Sequence, residues 1–472
     1  MVFSSAVFLF VFLPCVLLGY YLIKSRYRNV FLIASNLFFY AWGGPEFVLV
    51  MIASIIINYV SGILIDRAHN TLFGKYRAFV LAVGICANLG MLFYYKYFIF
   101  TVLNLNRFFH ANITVHEIAL PIGISFFTFK GMSYIIDLYR RNYPAQKNLI
   151  SVALYISLFP ELLAGPIDRY AGVNLQIDDR KADVEKFAYG VKRFIIGLSK
   201  KVLIANVLGE VVDKIFATPY TQIDIATAWV GAICYMMQIF FDFSGYSDMA
   251  IGLGKMFGFD FMENFNLPYT SQSITEFWRR WHISLSTWFR DYLYIPLGGN
   301  RTGNVYLNLI IVFIATGLWH GADWTFLCWG LWHGMFLLIE RIFKSRGVIV
   351  KVPGVAKWVY TMSILLIGWV LFRSKGISNA YHYLQTMFNM VDHEFIRFSV
   401  WYYLDRQILL TLLFSAIISS KIPALFSTNF RKVILIKNIA LYANPAWLLL
   451  LMIINIIFVI NSTYNPFIYF QF

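Results

Sequence analysis

Apolar runs long enough to cross a lipid bilayer recur along almost the whole of this chain. A helix needs about 20 residues to cross the hydrocarbon layer, which is about 30 Å thick. The runs are continuous and do not alternate with period two, so they indicate helices and not barrel strands. Window hydrophobicity places them at roughly 5–23, 30–42, 46–65, 78–103, 118–138, 149–165, 188–213, 225–256, 304–320, 323–343, 356–373, 407–420 and 440–461. The sequence therefore predicts an all-α, polytopic membrane protein of about a dozen helices.

The charged residues support a membrane location and do not favour a nucleic-acid partner. Only 13% of the 472 residues are charged, whereas an ordinary soluble domain has about 25%. The formal net charge of +15 is distributed in short clusters between the apolar runs, such as Lys24 to Arg28 and Arg140 with Arg141. Clusters of this kind are typical of cytoplasmic loops. The expected surrounding is the lipid bilayer, and no nucleic acid is expected to bind.

We interpret the chain as a single membrane domain, residues 1–472, because no Ser-, Pro- or Gly-rich linker divides it. The longest polar interval, 176–186, is only loop-sized. The first apolar run has neither a basic leader nor a small-residue cleavage site, which indicates a retained helix. The four cysteines stand singly inside apolar runs, without metal-ligand spacing, so no metal site is expected.

Several of the apolar runs are short or contain glycine and proline, as at Pro121-Ile122-Gly123. Broken or re-entrant helices are expected there, and they persist at membrane depth only where protein or a cavity covers the freed backbone. The run 236–259 also contains two carboxylates, Asp242 and Asp248. Intramembrane carboxylates usually face a bundle interior, a cavity or a partner. They either line a substrate path or pair with arginines that lock helices together, and pairing is favoured over direct catalysis.

A second polar cluster occupies residues 273–301, "SITEFWRRWHISLSTWFRDYLYIPLGGNR". On a continuous helix, Arg279, His282 and Ser286 would share a face, since they are three and four residues apart. An interfacial amphipathic helix anchored by arginine and tryptophan would need no substrate. The density of charge in a sparsely charged chain counts against that alternative. Arginines such as these would suit the phosphates of an acidic cofactor, for example a coenzyme A thioester.

The pentapeptide Gly-Leu-Trp-His-Gly occurs twice, at 317–321 and at 330–334. Along a continuous helix the 13-residue offset would separate His320 and His333 by about 20 Å, so we expect only one of them at a reaction centre. His320 precedes the helix break Gly321-Ala322-Asp323, which predicts a position on a cavity wall. His333 lies inside the next apolar run, where a lone histidine is more often a packing residue.

Five segments together resemble the membrane-bound O-acyltransferase (MBOAT) family, in particular its bacterial branch of alginate O-acetylation and teichoic acid D-alanylation. The alginate-type group is the closer match. The segments are "PIGISFFTFKGMSYIIDLYR" (121–140), "FPELLAGPIDRY" (159–170), "FFDFSGYSDMAIGLG" (240–254), "EFWRRWHISLSTWFRDYLYIPLGGNR" (276–301) and "GLWHGADWTFLCWGLWHG" (317–334).

The resemblance implies broken helices around a central tunnel from the cytoplasm to the exterior. It places the reactive base at His320 and a second catalytic polar residue at His282. The residues expected to contact substrate are Arg279, Arg280, Trp281, Asp242, Asp248, Trp319 and Asn300. Imidazole is suited to the base because its unperturbed pKa lies near neutrality.

The C-terminal tail, 462–472, ends in "PFIYFQF". The basic residues Arg431, Lys432 and Lys437 precede the last apolar run, so the positive-inside rule predicts an extracytoplasmic tail. Composition alone would make its aromatic residues an interfacial belt. The tail also resembles the C-terminal motif of the small partner peptide in teichoic acid D-alanylation machines. That resemblance implies that Tyr469 is an acyl-accepting relay.

The expected function is therefore O-acylation of an extracellular or cell-envelope polysaccharide from the bacterial cytoplasmic membrane. The donor would be acetyl-CoA or another cytoplasmic acyl thioester, with no resident cofactor. An extracytoplasmic SGNH-type transferase would carry the group to the polysaccharide, which the membrane protein reaches only indirectly. Two alternatives stay open at this point: a polytopic transporter or polymer flippase without acyl chemistry, and a D-alanyl or lipid acyltransferase of the same family.

Overall fold

The computed structural model describes residues 1–69, 76–347, 352–392, 395–422, 434–462 and 464–466. Within these ranges the secondary structure is helical, without a strand, which confirms the all-α prediction. The α-helices of the N-terminal half are Leu13–Leu22, Arg28–Ala41, Phe47–His69, Tyr76–Leu92, Phe98–Phe109, Ile124–Tyr139, Leu149–Ser157, Phe159–Leu162, Tyr170–Asp178, Val184–Ser199 and Asn206–Ala217. Those that follow are Ile225–Met256, Ile274–Arg280, Ile283–Phe289, Val305–His320, Trp324–Ser345, Gly354–Arg373, Ile377–Met387, Val400–Tyr403, Arg406–Ser419 and Ile434–Asn461.

The predicted helix breaks are present. Ile124–Tyr139 begins only after Gly123, whose φ of 75° is readily adopted by glycine. The run predicted at 149–165 is divided at Leu158, directly before Phe159 and Pro160. In the described ranges, four segments are π-helical: Phe8–Phe12, Phe93–Tyr97, Lys200–Ala205 and Arg290–Tyr294.

The chain is a multi-pass membrane protein. In the part that the structure describes, five helices are long and apolar enough to cross a bilayer: Phe47–Ala68, Tyr76–Phe109, Ile225–Met256, Trp324–Ser345 and Gly354–Arg373. Shorter apolar helices are Phe8–Leu22, Val305–His320, Arg406–Ser419 and Pro445–Asn461. Long spans are fewer than the dozen apolar runs because breaks shorten several of the helices.

Two compact units emerge from the contacts: Met1–Phe194 with Ser247–Met262, and Ile195–Tyr246 with Glu263–Phe472. The expectation of one domain over 1–472 stays a prediction. In the first unit, Asn58 and Asn88 exchange side-chain hydrogen bonds of 3.1 and 3.0 Å. Lys130 and Glu161 form a buried ion pair at 2.5 Å. Such pairs give buried polar groups the hydrogen-bond partners that lipid cannot supply.

The second unit contains the doubled pentapeptide. Helices Val305–His320 and Trp324–Ser345 pack along each other, and Gly354–Arg373 packs against the second of them. The short helices Ile274–Arg280 and Ile283–Phe289 belong to the same unit, as do the described residues of the tail. His282, Trp319, His320 and His333 all belong to this unit.

Candidate active site

The two pentapeptides lie on neighbouring helices of a hairpin. Helix Val305–His320 ends at His320, Gly321 is extended, and the Asp323 side chain accepts a hydrogen bond from the Thr325 amide at 2.8 Å to begin the next helix. An N-cap aspartate of this kind fixes where a helix begins. The expected separation of 20 Å along one helix is therefore wrong, because the chain reverses between the two copies.

His320 and His333 contact the same indole ring. The Trp329 centroid lies 5.0 Å from that of His320 and 5.1 Å from that of His333. His320 also contacts Trp319 and Phe372, at 4.9 and 5.1 Å. His320 is 7% exposed, whereas His333 is 0% exposed. Both histidines are therefore buried, and His320 retains the larger exposed fraction.

His333 occupies an aromatic cage. Its ring lies 5.3 Å from Trp278 and 6.5 Å from Phe277, in addition to Trp329. Neither ring nitrogen has a hydrogen-bond partner among the described residues. On the other side, a Cβ added to Gly368 would lie 2.8 Å from its Nε2. These surroundings are those of a packing residue.

His282 lies at a break between two helices. The segment Ile274–Arg280 ends at Trp281, and His282 has a φ of 43° before Ile283–Phe289 begins. The predicted helix face shared by Arg279, His282 and Ser286 is therefore wrong, because the chain leaves helical geometry at Trp281. A non-glycine residue in this conformation costs about 1–3 kcal/mol and is frequent at active sites.

The hydrogen bonds of Asn264 determine the tautomer of His282. Asn264 Oδ1 accepts from the Ser284 backbone amide at 3.2 Å and from the Ser284 hydroxyl at 3.0 Å. Because a backbone amide can only donate, the Asn264 atom facing it must be the oxygen. His282 Nδ1, 3.1 Å from that oxygen, therefore carries the proton. Its Nε2 retains a lone pair and has no hydrogen-bond partner in the described chain.

Trp319 connects the two candidate catalytic imidazoles. Its ring centroid lies 5.9 Å from that of His282 and 4.9 Å from that of His320. The structure thus brings His282 close to Trp319 and His320, although His282 is distant from them in sequence. Asn264, which fixes the first imidazole, was missed by the sequence analysis. Its only signal was an asparagine in the loop that precedes the amphipathic segment.

A cavity of about 510 Å³ adjoins this site. Its lining includes the side chains of Arg279, Arg290, Ser286 and Thr316, the last being one helical turn before His320. Arg279 is exposed, and Arg290 is paired with Asp291 at 2.7 Å. Two guanidinium groups beside hydroxyl groups can bind an anionic ligand.

Arg280 and Trp281 do not line the cavity. Arg280 forms an i,i+4 ion pair with Glu276 at 2.9 Å, and Trp281 is buried against Phe277, at a centroid distance of 5.4 Å. Of the two adjacent arginines, Arg279 therefore lines the cavity and Arg280 does not.

The other predicted substrate contacts have partners within the protein. Asp248 pairs with Arg193 at 2.6 Å in the first unit. Asp242 pairs with Lys201 at 2.6 Å in the second, with both side chains 2% exposed. Pairing with arginine was expected for both carboxylates, and at Asp242 the partner is a lysine instead. Asn300 accepts a hydrogen bond from the Tyr294 hydroxyl at 2.7 Å.

Tyr469 lies outside the described residues, but Tyr464 and Pro466 do not. The Tyr464 hydroxyl donates to Asp213 at 2.5 Å, and Arg373 pairs with the same carboxylate at 2.6 Å. Burial, followed by the hydrogen bond to Asp213, raises the pKa of Tyr464, so the phenol stays protonated as a donor. Lys201 Nζ donates to the Pro466 carbonyl. Lys201 was not among the predicted site residues, although a lysine within a predicted span often marks a functional position.

Comparisons with known proteins identify the family of the chain. The family model of MBOAT, the membrane-bound O-acyltransferase family, matches residues 123–372, which include all three imidazoles discussed above. The chain is 48% identical over 397 residues to the probable alginate O-acetylase AlgI of Pseudomonas aeruginosa, covering 82% of this chain and 75% of that protein.

Two further relatives extend the match. The probable alginate O-acetylase AlgI of Azotobacter vinelandii is 46% identical over 398 residues, or 83% of this chain and 79% of the relative. The peptidoglycan O-acetyltransferase of Helicobacter pylori is 34% identical over 423 residues, or 82% of this chain and 80% of the relative. Family match and relatives together show that this chain belongs to the membrane-bound O-acyltransferase family and is an O-acyltransferase.

Proposed function

We propose that this protein takes an acetyl group from a cytoplasmic thioester and delivers it across the membrane for O-acylation of an extracellular or cell-envelope polysaccharide. Relatives that match more than four fifths of the chain are named for the O-acetylation of alginate or peptidoglycan. Both acceptors are polysaccharides outside the cytoplasm, whereas acetyl-CoA is made inside. In this proposal the protein acts in the bacterial cytoplasmic membrane, and its C-terminal tail lies on the outer side.

The geometry of His320 carries the catalytic assignment. Of the three imidazoles in the aromatic cluster, His320 is 7% exposed and His282 and His333 are 0% exposed. His320 also ends an apolar helix at a chain reversal, one helical turn after Thr316, which lines the 510 Å³ cavity. A positioned base of this kind contributes about 10²- to 10⁴-fold to the rate.

The acyl group moves in three successive transfers, of which this protein catalyses the first. His320 takes the proton of the acceptor hydroxyl while that oxygen attacks the thioester carbonyl carbon. When the carbon–sulfur bond breaks, the leaving thiolate takes the proton from the imidazolium and departs as a free thiol. The acceptor in this step is Tyr469, which becomes a tyrosyl ester.

A separate extracytoplasmic SGNH-type transferase then uses its serine to remove the acyl group from Tyr469 and passes it to a sugar hydroxyl. The phenol is regenerated, so the tail turns over. Dividing the reaction in this way replaces one difficult transfer by three easier ones.

His282 assists this chemistry from the other side of Trp319. Its Nδ1–H donates to Asn264, and this hydrogen bond fixes the orientation of the ring. The lone pair of Nε2 is therefore the acceptor. The donor enters by the 510 Å³ cavity, where Arg279 and Arg290 bind the phosphates of coenzyme A.

The proposal is tested in proteoliposomes supplied with acetyl-labelled acetyl-CoA. The parent protein is expected to transfer label to Tyr469, and His320→Asn is expected to lower the rate at least a hundredfold. His110→Asn is the matched control, because His110 is exposed and has a φ of 50° that asparagine tolerates. Equal labelling by His320→Asn and the parent would overturn the role of His320. Normal polymer acetylation by Tyr469→Phe would overturn the relay.

A further inference from the structure

The described part of the tail folds back onto a buried ion pair. Lys201 and Asp242 are 2.6 Å apart, and each side chain is 2% exposed. Asp242 lies near the middle of the 32-residue helix Ile225–Met256. Because Lys201 Nζ also donates to the Pro466 carbonyl, the tail reaches a point that is level with the middle of a membrane-spanning helix.

The chemistry of the three groups is complementary. A lysine ammonium has three donors and no acceptor, and one carboxylate cannot use all three. Proline has no amide proton, so the backbone at Pro466 offers its carbonyl as an acceptor. Leaving part of a buried ammonium without an acceptor would be costly, and the tail supplies that acceptor. Lys201 also belongs to the π-helical segment Lys200–Ala205, an irregularity that is frequent at functional sites.

A second contact holds the tail two residues earlier. The Tyr464 hydroxyl donates to Asp213 at 2.5 Å, and Asn206 Nδ2 lies 3.4 Å from the Tyr464 carbonyl. Arg373 fixes Asp213 from the other side. Tyr464 thus anchors the tail through both its hydroxyl and its carbonyl.

We propose that Lys201, held by Asp242, is a positioning residue that fixes the tail at Pro466 and so delivers Tyr469 to the acyl donor. The inference rests on the proposed function, since it takes Tyr469 as the acceptor. Tyr469 follows Pro466 by three residues, and a chain of three residues reaches at most about 10 Å. Fixing the chain at Pro466 therefore raises the effective concentration of the Tyr469 hydroxyl at the acyl donor.

The test uses the full chain in proteoliposomes and the variant Lys201→Met, which keeps the length of the side chain but removes its charge. At saturating acetyl-CoA, the rate of Tyr469 labelling is expected to fall at least tenfold, while the KM for acetyl-CoA is unchanged. A merely structural role would instead change both quantities together. Lys130→Met is the matched control, because it breaks the Lys130–Glu161 pair, whose side chains are also buried at 3% and 1%.

A second measurement reports the accessibility of the tail and does not depend on acyl transfer. In a chain with its four cysteines replaced by serine, Asn465→Cys is labelled with a maleimide reagent. Lys201→Met is expected to speed this labelling at least fivefold, and Lys130→Met is not. If neither labelling nor Tyr469 acylation responds specifically to Lys201→Met, the inference is wrong even when Tyr469→Phe abolishes polymer acetylation. If Tyr469→Phe has no effect but maleimide labelling does respond, the tail contact stands and the relay fails.

Discussion

Gly317 and Gly330, the first residues of the two pentapeptides, pack directly against each other. An ideal Cβ built on Gly317 would lie 3.5 Å from the Gly330 Cα and would overlap the Phe326 carbonyl oxygen. A Cβ on Gly330 would overlap the Phe313 carbonyl oxygen in the same way. The repeat therefore has a structural cause: each copy supplies the glycine that lets the two helices approach. Two copies of the histidine do not imply two reaction centres.

Gly330→Ala is expected to destabilise the protein by about 1–3 kcal/mol, because the added methyl group has no space and must separate the helices. Thermal unfolding in detergent measures the effect as a lower Tm. Gly90→Ala is the control, since a Cβ there meets nothing within 4 Å and alanine favours a helix. A Gly330→Ala protein as stable as Gly90→Ala would contradict the close approach of the hairpin.

His333→Leu is expected to retain transferase activity within a few-fold and to be at least as stable as the parent. The reason is that both nitrogens of His333 are buried without a hydrogen-bond partner in the described chain. A buried unsatisfied polar group costs about 1–3 kcal/mol, and leucine removes it. Acetyl transfer and Tm are both measured. A hundredfold loss of transfer at unchanged Tm would mean that His333, and not packing alone, takes part in the reaction.

The sequence was sufficient for most of the helices. The run predicted at 225–256 is a helix with the same bounds, and 304–320 differs from Val305–His320 by one residue. Length and apolar composition decide these elements, because a bilayer leaves the backbone little alternative to a helix. The breaks at Gly123 and Pro160 were also readable, since both residue types act locally.

The arrangement of the site was less predictable. The turn at His282 arises from tertiary contacts with Asn264, which local sequence does not reveal. The helix break at Gly321 was predicted, but the contact between the two pentapeptides was not. Helical spacing gives the distance between residues along one helix, and it does not show that the chain reverses direction. Lys201 was visible in the sequence, but its partners Asp242 and Pro466 are distant along the chain.

Asn264→Ala is expected to slow acetyl transfer about tenfold to a hundredfold. It removes the acceptor of the His282 Nδ1 proton, and an unpaired buried donor costs about 1–3 kcal/mol, so the ring loses its fixed tautomer and orientation. The rate at saturating acetyl-CoA measures the effect. Ser284→Ala removes another donor to the same oxygen while leaving the imidazole contact, and it is expected to stay near the parent rate. Equal losses in the two variants would show that the network acts only in folding.

Arg279→Gln is expected to raise the KM for acetyl-CoA about tenfold or more with little change in kcat. Arg279 lines the 510 Å³ cavity, and a hydrogen bond to a charged group contributes about 1.5–3 kcal/mol. Arg280→Gln is the control, because Arg280 pairs with Glu276 and does not line the cavity. Initial rates over a range of acetyl-CoA concentrations give both constants.

A donor without nucleotide phosphates sharpens this experiment. With acetylpantetheine, the parent and Arg279→Gln are expected to have the same KM, because the guanidinium group has no phosphate to bind. If Arg279→Gln raised the KM of acetylpantetheine as much as that of acetyl-CoA, Arg279 would act on the shape of the cavity instead of on the charge of the donor. A KM for acetyl-CoA that did not respond to Arg279→Gln would place donor entry elsewhere in the protein.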